Sequence, residues 1–254
     1  MALASRRGLL GAGVGGLLLS GCDQITGSAA VEHFVGRGRA LTFGAQRLLL
    51  SGQPLAREFK PSDISPVFKP NGTMLPGTAA YQALMADNFA TWRLLFDGLV
   101  GAPASFSLAE LKAMPSRTQI TRHDCVEGWS AIGGWTGVQL SHLLARVGLK
   151  REARFIVFHC ADNLGGTADN SGLYYESIDL FDAFHPQTIL AWALNGRDLP
   201  VANGAPLRLR VERQLGYKQA KYVMRIEATD RLDNIHGGQG GFWEDRGYAW
   251  YAGI

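Results

Sequence analysis

A chain of 254 residues, 46% hydrophobic and 19% charged, has ordinary globular composition and enough apolar side chains for a substantial core. With 25 Lys and Arg against 22 Asp and Glu the net charge is +3, and no dense basic run occurs. That balance gives no ground for a nucleic-acid partner, although a few clustered cations can still form a local anion pocket.

The first residues have the form of an address. Arg6 and Arg7 precede an apolar run that ends at Leu19, and small residues lead to Cys22. The run is too short and too rich in glycine for a membrane span of about 20 apolar residues. Ser5-Arg6-Arg7-Gly8-Leu9-Leu10 resembles a twin-arginine export signal, and Leu19-Ser20-Gly21-Cys22 resembles a bacterial lipobox, whose cysteine is lipidated after cleavage. An ordinary signal peptide with an incidental cysteine is the alternative. The expected location is the periplasm or the outer face of the cytoplasmic membrane.

Residues 23–80 are expected to be an extended arm and linker, with a short helix or strand within "GAQRLLLSGQPL". Prolines at 54, 61, 66, 70 and 76 argue against regular structure there. Such an arm stays ordered only by packing onto the globular body, expected at 81–254. From Trp92 onward the pattern changes. "WRLLFDGLV" predicts a strand, and Ser107 with Glu110 three residues later predicts a capped helix start. "QITRHDCVEG" predicts a strand running into a loop. Apolar residues at 138, 140, 143, 144 and 147 predict a helix, "RFIVFHCA" a buried strand, and "TILAWALNGRDLP" a helix ended by Asn195-Gly196. "PLRLRVE" and "KYVMRIEA" alternate as strands do. Short strands and helices without a regular βαβ period make the class α+β.

Removing Cys22 leaves Cys125 and Cys160, too few for a disulfide scaffold, and no CxxC or HxxxH spacing offers a zinc site. One disulfide between the pair stays open. "TRHDCVEGWSAIGGWTGVQL" surrounds Cys125 with more polarity than a core strand needs. "CVEGWS" with "WTGVQLSHLL", then "NGAPLRLRV", then "GYKQAKYVMRIE" resembles the sulfite oxidase fold family of molybdopterin enzymes over roughly residues 85–230. The ending "GGFWEDRGYAWYAGI" resembles a bacterial branch of that family.

The resemblance implies an α+β fold around one molybdenum, held by one pterin dithiolene and one protein thiolate. It assigns that thiolate to Cys125, at the end of a strand entering a loop; soft thiolates suit such a metal. It implies that Asp87, Asn88, Cys160, Asn203, Arg208, Gln219, Ala220 and Lys221 contact the cofactor. Arg208 would offer a forked donor to phosphate or pterin oxygens, and Lys221 a point charge. Cys160 departs from the family: the methionine-sulfoxide-reductase branch has threonine there. Asp87 stands where Asn is usual. The bland reading of "RLRV" and "GYKQAKY" is a surface strand with solvated cations.

Arg122 and His123 are candidates on the substrate side, and in an alternating strand they face opposite ways. Asp162, Tyr174 and Tyr175 are further candidates for a polar rim, while Trp129 and Trp135 suit a core or pocket wall. The segment "DNLGGTADNSGLYYESIDL" is longer than in typical sulfite oxidases and is expected to shape the substrate entrance.

The implied activity is oxygen-atom transfer, on sulfite or on a sulfoxide. With no CxxCH haem motif, electrons are expected to pass to or from a separate cytochrome or membrane haem subunit. Arginine-rich walls would favour sulfite; an aromatic, less charged pocket would suit a thioether oxide. Two other classes remain in view. A non-catalytic lipoprotein module would need neither metal nor Cys125, and a thiol enzyme would use His123 with Cys125. A monomer is expected.

Overall fold

The computed structural model describes residues 29–167 and 171–254. The export-signal and lipobox readings, including Cys22, lie outside the described residues. The chain divides into two units, Met1–Gly52 and Gln53–Ile254.

The first unit contains the helix Ala29–Leu49, where an extended arm with only a short helix or strand from Gly44 onward was expected. The arm's prolines begin only at residue 54, beyond this unit, and a run of Ala, Leu, Arg and Phe outweighs the helix penalty of Gly36, Gly38 and Gly44. No helix among the described residues is long and apolar enough to cross a membrane.

The second unit opens with the proline-rich segment, ordered by contacts with the strands it crosses. Phe59 donates its N–H to Ile120 O at 2.8 Å, Ser65 donates to Ile132 O at 3.0 Å, and Ala56 donates to Gln187 Oε1 at 2.7 Å. The helix Ala79–Ala86 follows, with its N-terminus accepted by the Thr78 hydroxyl.

Two five-stranded sheets form the body. The first has the order β2-β1-β10-β5-β6, built from β1 (Arg93–Gly98), β2 (Ala104–Ser107), β5 (Phe155–Asn163), β6 (Leu173–Asp179) and β10 (Val223–Thr229). Only the β1–β10 pair is parallel; the other three pairs are antiparallel. The second has β3 (Ser116–Cys125), β4 (Trp129–Gln139), β7 (Ile189–Leu194) and β8 (Arg197–Asp198) in line, with β9 (Arg208–Arg210) also paired to β7. The α+β expectation holds.

The capped helix is present at Leu108–Ala113, with both halves of the Ser107–Glu110 box formed. The helix Leu140–Val147 buries Leu140, Leu143, Leu144 and Val147, the stripe that its spacing dictates. These side chains join Leu94, Phe96, Ile156, Phe158 and Ile226 in the main core, where each contributes roughly 1.5–3 kcal/mol of apolar burial.

One element differs in kind. "TILAWALNGRDLP" folds as β7, a turn and β8, not as a helix. β7 is covered on both faces, so its continuous apolar run carries no period-two signal. Asn195 at φ 53° and Gly196 at φ 75° make the two-residue turn that a twisted hairpin favours.

Candidate active site

Alternation along β3 decides which side chains face inward. Gln119, Thr121, His123 and Cys125 are buried, while Arg122 is exposed. Arg122 therefore leaves the candidate site: its Nε lies 2.9 Å from the Asp124 carboxylate on the outer face. His123 and Cys125, two residues apart, share the inner face.

Cys125 is the last residue of the β3–β4 ladder, opposite Trp129, and the loop Val126-Glu127-Gly128 closes the hairpin. Gly128 donates its N–H to Cys125 O at 3.0 Å and takes φ 85°. The thiol is thus set at a strand end, on the wall of a cavity of about 230 Å³. Burial pushes its pKa up in the metal-free chain. A bound metal ion reverses that balance, because coordination deprotonates a thiol outright.

A cluster of cations lies beside the cavity, with Lys221 on its wall. β9 and the chain after it bring Arg208, Arg210 and Lys221 together, all buried, so the solvated-strand alternative for these residues does not hold. Arg210 is paired: Nη2 donates to Glu212 Oε2 at 2.6 Å and Nη1 to His123 Nδ1 at 3.1 Å. His123 consequently accepts at Nδ1. Burial, reinforced by Arg208 and Arg210, keeps the ring neutral by pushing its pKa well down. Gly216 lies flat against that ring: a Cβ there would come 2.5 Å from His123 Nε2, so only glycine lets the backbone approach.

Arg208 has no carboxylate partner. Nη1 donates to Asn203 O at 3.1 Å, Nη2 reaches Asn71 Oδ1 at 3.5 Å, and Nε has no partner. Burial and the neighbouring Arg210 lower it to about 9. The Lys221 ammonium donates only to carbonyls, those of Asn71 at 2.7 Å, Ala202 at 2.9 Å and Thr73. Burial first, then Arg208, lowers it to about 7. Opposite lies Asp162, raised by burial to about 6 despite Lys221, with Oδ1 unpartnered.

Of the residues singled out from sequence, the structure brings Cys125, Gln219, Lys221, Asp162 and Tyr174 onto the cavity wall. Arg208 stands behind that wall, over the Trp135 ring at 5.2 Å. Asn203 and Ala220 are buried beside it. Cys160 points into the core, its Sγ 3.9 Å from Phe158 O, and does not line the cavity. Both Cys125 and Cys160 are free thiols. Asp87 and Asn88 also lie off the wall, at the end of the helix Ala79–Ala86, where Asp87 accepts from Thr91 N at 3.1 Å. Tyr175 faces a second cavity, stacked on His236 at 4.2 Å.

Sequence reasoning missed three parts of the wall. The Asn71-Gly72-Thr73 turn was hidden in the proline-rich arm. Tyr217 follows the matched motif's glycine, and Trp243 with Tyr248 comes from the aromatic C-terminal segment. Such a segment, "FWEDRGYAWYAGI", is the signal that could have found the last two.

A buried guanidinium and a buried ammonium without a carboxylate are costly unless an anion completes them. The unpartnered donors Arg208 Nε and Asn203 Nδ2 point the same way. The residues present therefore fit a group that carries a phosphate, with a thiolate ligand on the same cavity's wall. A family model described as oxidoreductase molybdopterin binding domain matches residues 81–236. The chain belongs to this family.

Relatives agree with that placement. The chain is 37% identical over 201 residues to the putative protein-methionine-sulfoxide reductase subunit YedZ1 of Azospira oryzae, covering 77% of this chain and 70% of the relative. It is 37% identical over 146 residues to the protein-methionine-sulfoxide reductase catalytic subunit MsrP of Ralstonia nicotianae, covering 55% of this chain and 44% of that one. The chain thus spans under half the length of that MsrP. The sulfane dehydrogenase SoxCD of Paracoccus pantotrophus is similar in structure, with a TM-score of 0.50 and 26% identity over 56% of this chain and 39% of that one. As a molybdopterin-binding oxidoreductase, the chain is an enzyme, and the non-catalytic module reading is set aside.

Proposed function

We propose that this protein is an exported sulfoxide reductase that uses one molybdenum–molybdopterin. Cys125 is its metal ligand, and Arg208, Lys221, Asn203, Gln219 and the Ala220 backbone hold the pterin and its phosphate. The carrying observation is the lining of one cavity. Tyr174, Tyr217, Trp243 and Tyr248 with Val126 and Leu164 make its wall largely aromatic and apolar, the carboxylates Glu127 and Asp162 also line it, and Lys221 is the only cation lining the cavity among the described residues. Sulfite is a dianion over much of the neutral range and would find one positive charge, already engaged. A thioether oxide presents a polar oxygen on an apolar body, which suits this wall.

The bound group would supply two-electron oxygen-atom chemistry. Reduction of a sulfoxide consumes two electrons and two protons and releases a thioether and water. The chain's own part is to orient the sulfoxide against the aromatic rings and to exclude bulk water from the thiol. Asp162, at about 6, holds a proton at its carboxyl in mildly acidic surroundings. The relatives' printed names support the sulfoxide direction. Export through the twin-arginine route suits a protein that acquires its cofactor before crossing the membrane, and a lipid on Cys22 would keep it at the membrane surface. Electrons then come from a separate cytochrome or membrane haem subunit.

Molybdenum and pterin analysis of protein from a molybdate-fed host tests this reading. Stoichiometric metal with turnover of a sulfoxide and not of sulfite is the expected result. Sulfite oxidation would overturn the substrate, and absence of molybdenum from matured protein would overturn the whole.

A further inference from the structure

The charges on the cavity wall do not cancel. Glu127 and Asp162 line it against Lys221 alone among the described residues. The Lys221 ammonium has three N–H donors, and the carbonyls of Asn71, Thr73 and Ala202 take them. Neither carboxylate has a cation in hydrogen-bond contact among the described residues. Asp162 is buried, at 4% exposure, and its Oδ1 has no partner. Burial raises its pKa to about 6, so it is ionised at pH 7.5. Glu127 accepts the Trp129 indole N–H on Oε2 at 2.9 Å. The Lys69 ammonium stands 3.9 Å from that oxygen, with both side chains exposed, a pairing worth little.

The aromatic part of the wall suits the same charge. Trp243 stacks on Tyr248 at 5.3 Å, and Tyr248 meets Tyr217 edge-on at 5.2 Å. The Tyr217 hydroxyl donates to Ala249 O at 2.6 Å and the Tyr174 hydroxyl to Tyr217 O, so both residues offer rings rather than hydroxyls to a ligand. Ring faces attract cations, and aromatic walls are a recurring way to recognise an ammonium.

We infer that the substrate is a thioether oxide whose body carries a cation, an ammonium or a guanidinium, and that Glu127, with Asp162 and the rings of Tyr217, Trp243 and Tyr248, selects it. This rests on the sulfoxide reading and names the kind of molecule that bears the sulfoxide. A neutral body gains the rings alone, while an anionic one meets two carboxylates and is repelled.

The holoenzyme is assayed at pH 7.5 with three acetylated dipeptide amides, methionine sulfoxide followed by lysine, glutamine or glutamate, with a reduced viologen as electron source. The three share the sulfoxide and differ chiefly in charge. Expected is a kcat/KM about tenfold higher for the lysine peptide than for the glutamate peptide, the weight of one contact to a charged group, with the glutamine peptide between them and the difference carried by KM. Glu127→Gln keeps an oxygen for the Trp129 indole but removes the charge, and should lower that ratio severalfold. Tyr248→Leu should lower the lysine peptide relative to the glutamine peptide by about two- to fivefold, the range of an exposed cation–π contact. Each ratio is taken within one preparation, so incomplete cofactor loading of a variant cancels. Equal kcat/KM for the three peptides in the unmodified enzyme, or a preference that survives both variants, would overturn the inference and leave the sulfoxide reading standing. Failure of that reading looks different: none of the three peptides would be reduced, and the inference falls with it.

Discussion

Lys218 and Lys221 lie three residues apart, both buried, and the chain treats them in opposite ways. Lys218 donates to Glu176 and, at 2.6 Å, to Glu244, under the Trp250 ring at 5.3 Å. Burial alone would depress it, but the two carboxylates outweigh that and hold its pKa up. Lys221 has carbonyls instead, and burial with Arg208 pulls it down to about 7. One lysine ties β6 to the C-terminal segment with its charge more than balanced. The other has no carboxylate in hydrogen-bond contact, and its charge is only partly offset by Asp162 and Glu127. A buried cation with its own carboxylate explains itself structurally, whereas one without is a pointer to a ligand.

The largest expected effect lies at the thiol on the same cavity's wall. Cys125→Ser should reduce molybdenum content to background. Turnover should fall by more than the roughly 10–100-fold that altering an outer-shell group causes. The melting temperature of the cofactor-free chain should hardly move, because the Glu176–Lys218–Glu244 cluster is untouched. Metal retained by the serine variant would remove the site from Cys125.

Lys218→Met comes next and acts on the fold. It leaves two buried carboxylates facing each other without their cation, at a cost of about 3–5 kcal/mol. Urea denaturation of the cofactor-free variant measures it. A loss below about 1 kcal/mol would erase the distinction between the two lysines.

How far this contrast was legible from sequence follows from what each residue's neighbours are. The strand β3, the Ser107 cap and the helix Leu140–Val147 were legible because short-range pattern fixes them. β7 was not: a strand covered on both faces has the same apolar run as a buried helix, and only the Asn195-Gly196 turn spoke for a hairpin. At the site, the cavity positions of Cys125, Gln219 and Lys221 followed from a motif whose order is set locally. Arg122 was excluded by strand parity, which sequence supplied without saying which parity faced inward. Asn71 and Thr73 could not be found that way. They reach Lys221 across about 150 residues of chain, through backbone carbonyls that every residue type possesses.

Lys221→Met should affect the ligand more than the fold. Removing an unbalanced buried charge offsets the loss of its hydrogen bonds, so stability of the cofactor-free chain should stay within about 1 kcal/mol of the original. Affinity for molybdopterin should fall by about 10- to 100-fold, the weight of a hydrogen bond to a charged group. A Lys221→Met chain as destabilised as Lys218→Met would mean that both lysines are structural ties.

The smallest effect is a pH dependence, and its sign separates the two lysines most directly. An unfolded lysine titrates near 10.4, while Lys221 in the folded chain titrates at about 7. Between those values the unfolded chain binds more protons, so stability contributed at Lys221 rises with pH. Lys218, raised in the folded chain, does the opposite, and its contribution is lost only as the pH climbs past the unfolded value toward the folded one. Arg208, which shares the pocket at about 9, adds the same sign as Lys221 at higher pH, and Asp162 at about 6 titrates below. The clean window is therefore pH 7–8.5. There the stability difference between the unmodified cofactor-free chain and Lys221→Met should change by about 1 kcal/mol in favour of the unmodified chain, below the roughly 2 kcal/mol that the limiting slope allows across the window, because the pocket opens to water. Saturating inorganic phosphate should flatten that slope, since an anion on the ammonium keeps its proton in place. A slope that phosphate leaves unchanged would mean that the carbonyls of Asn71 and Thr73, not an anion, are the partners Lys221 was built for.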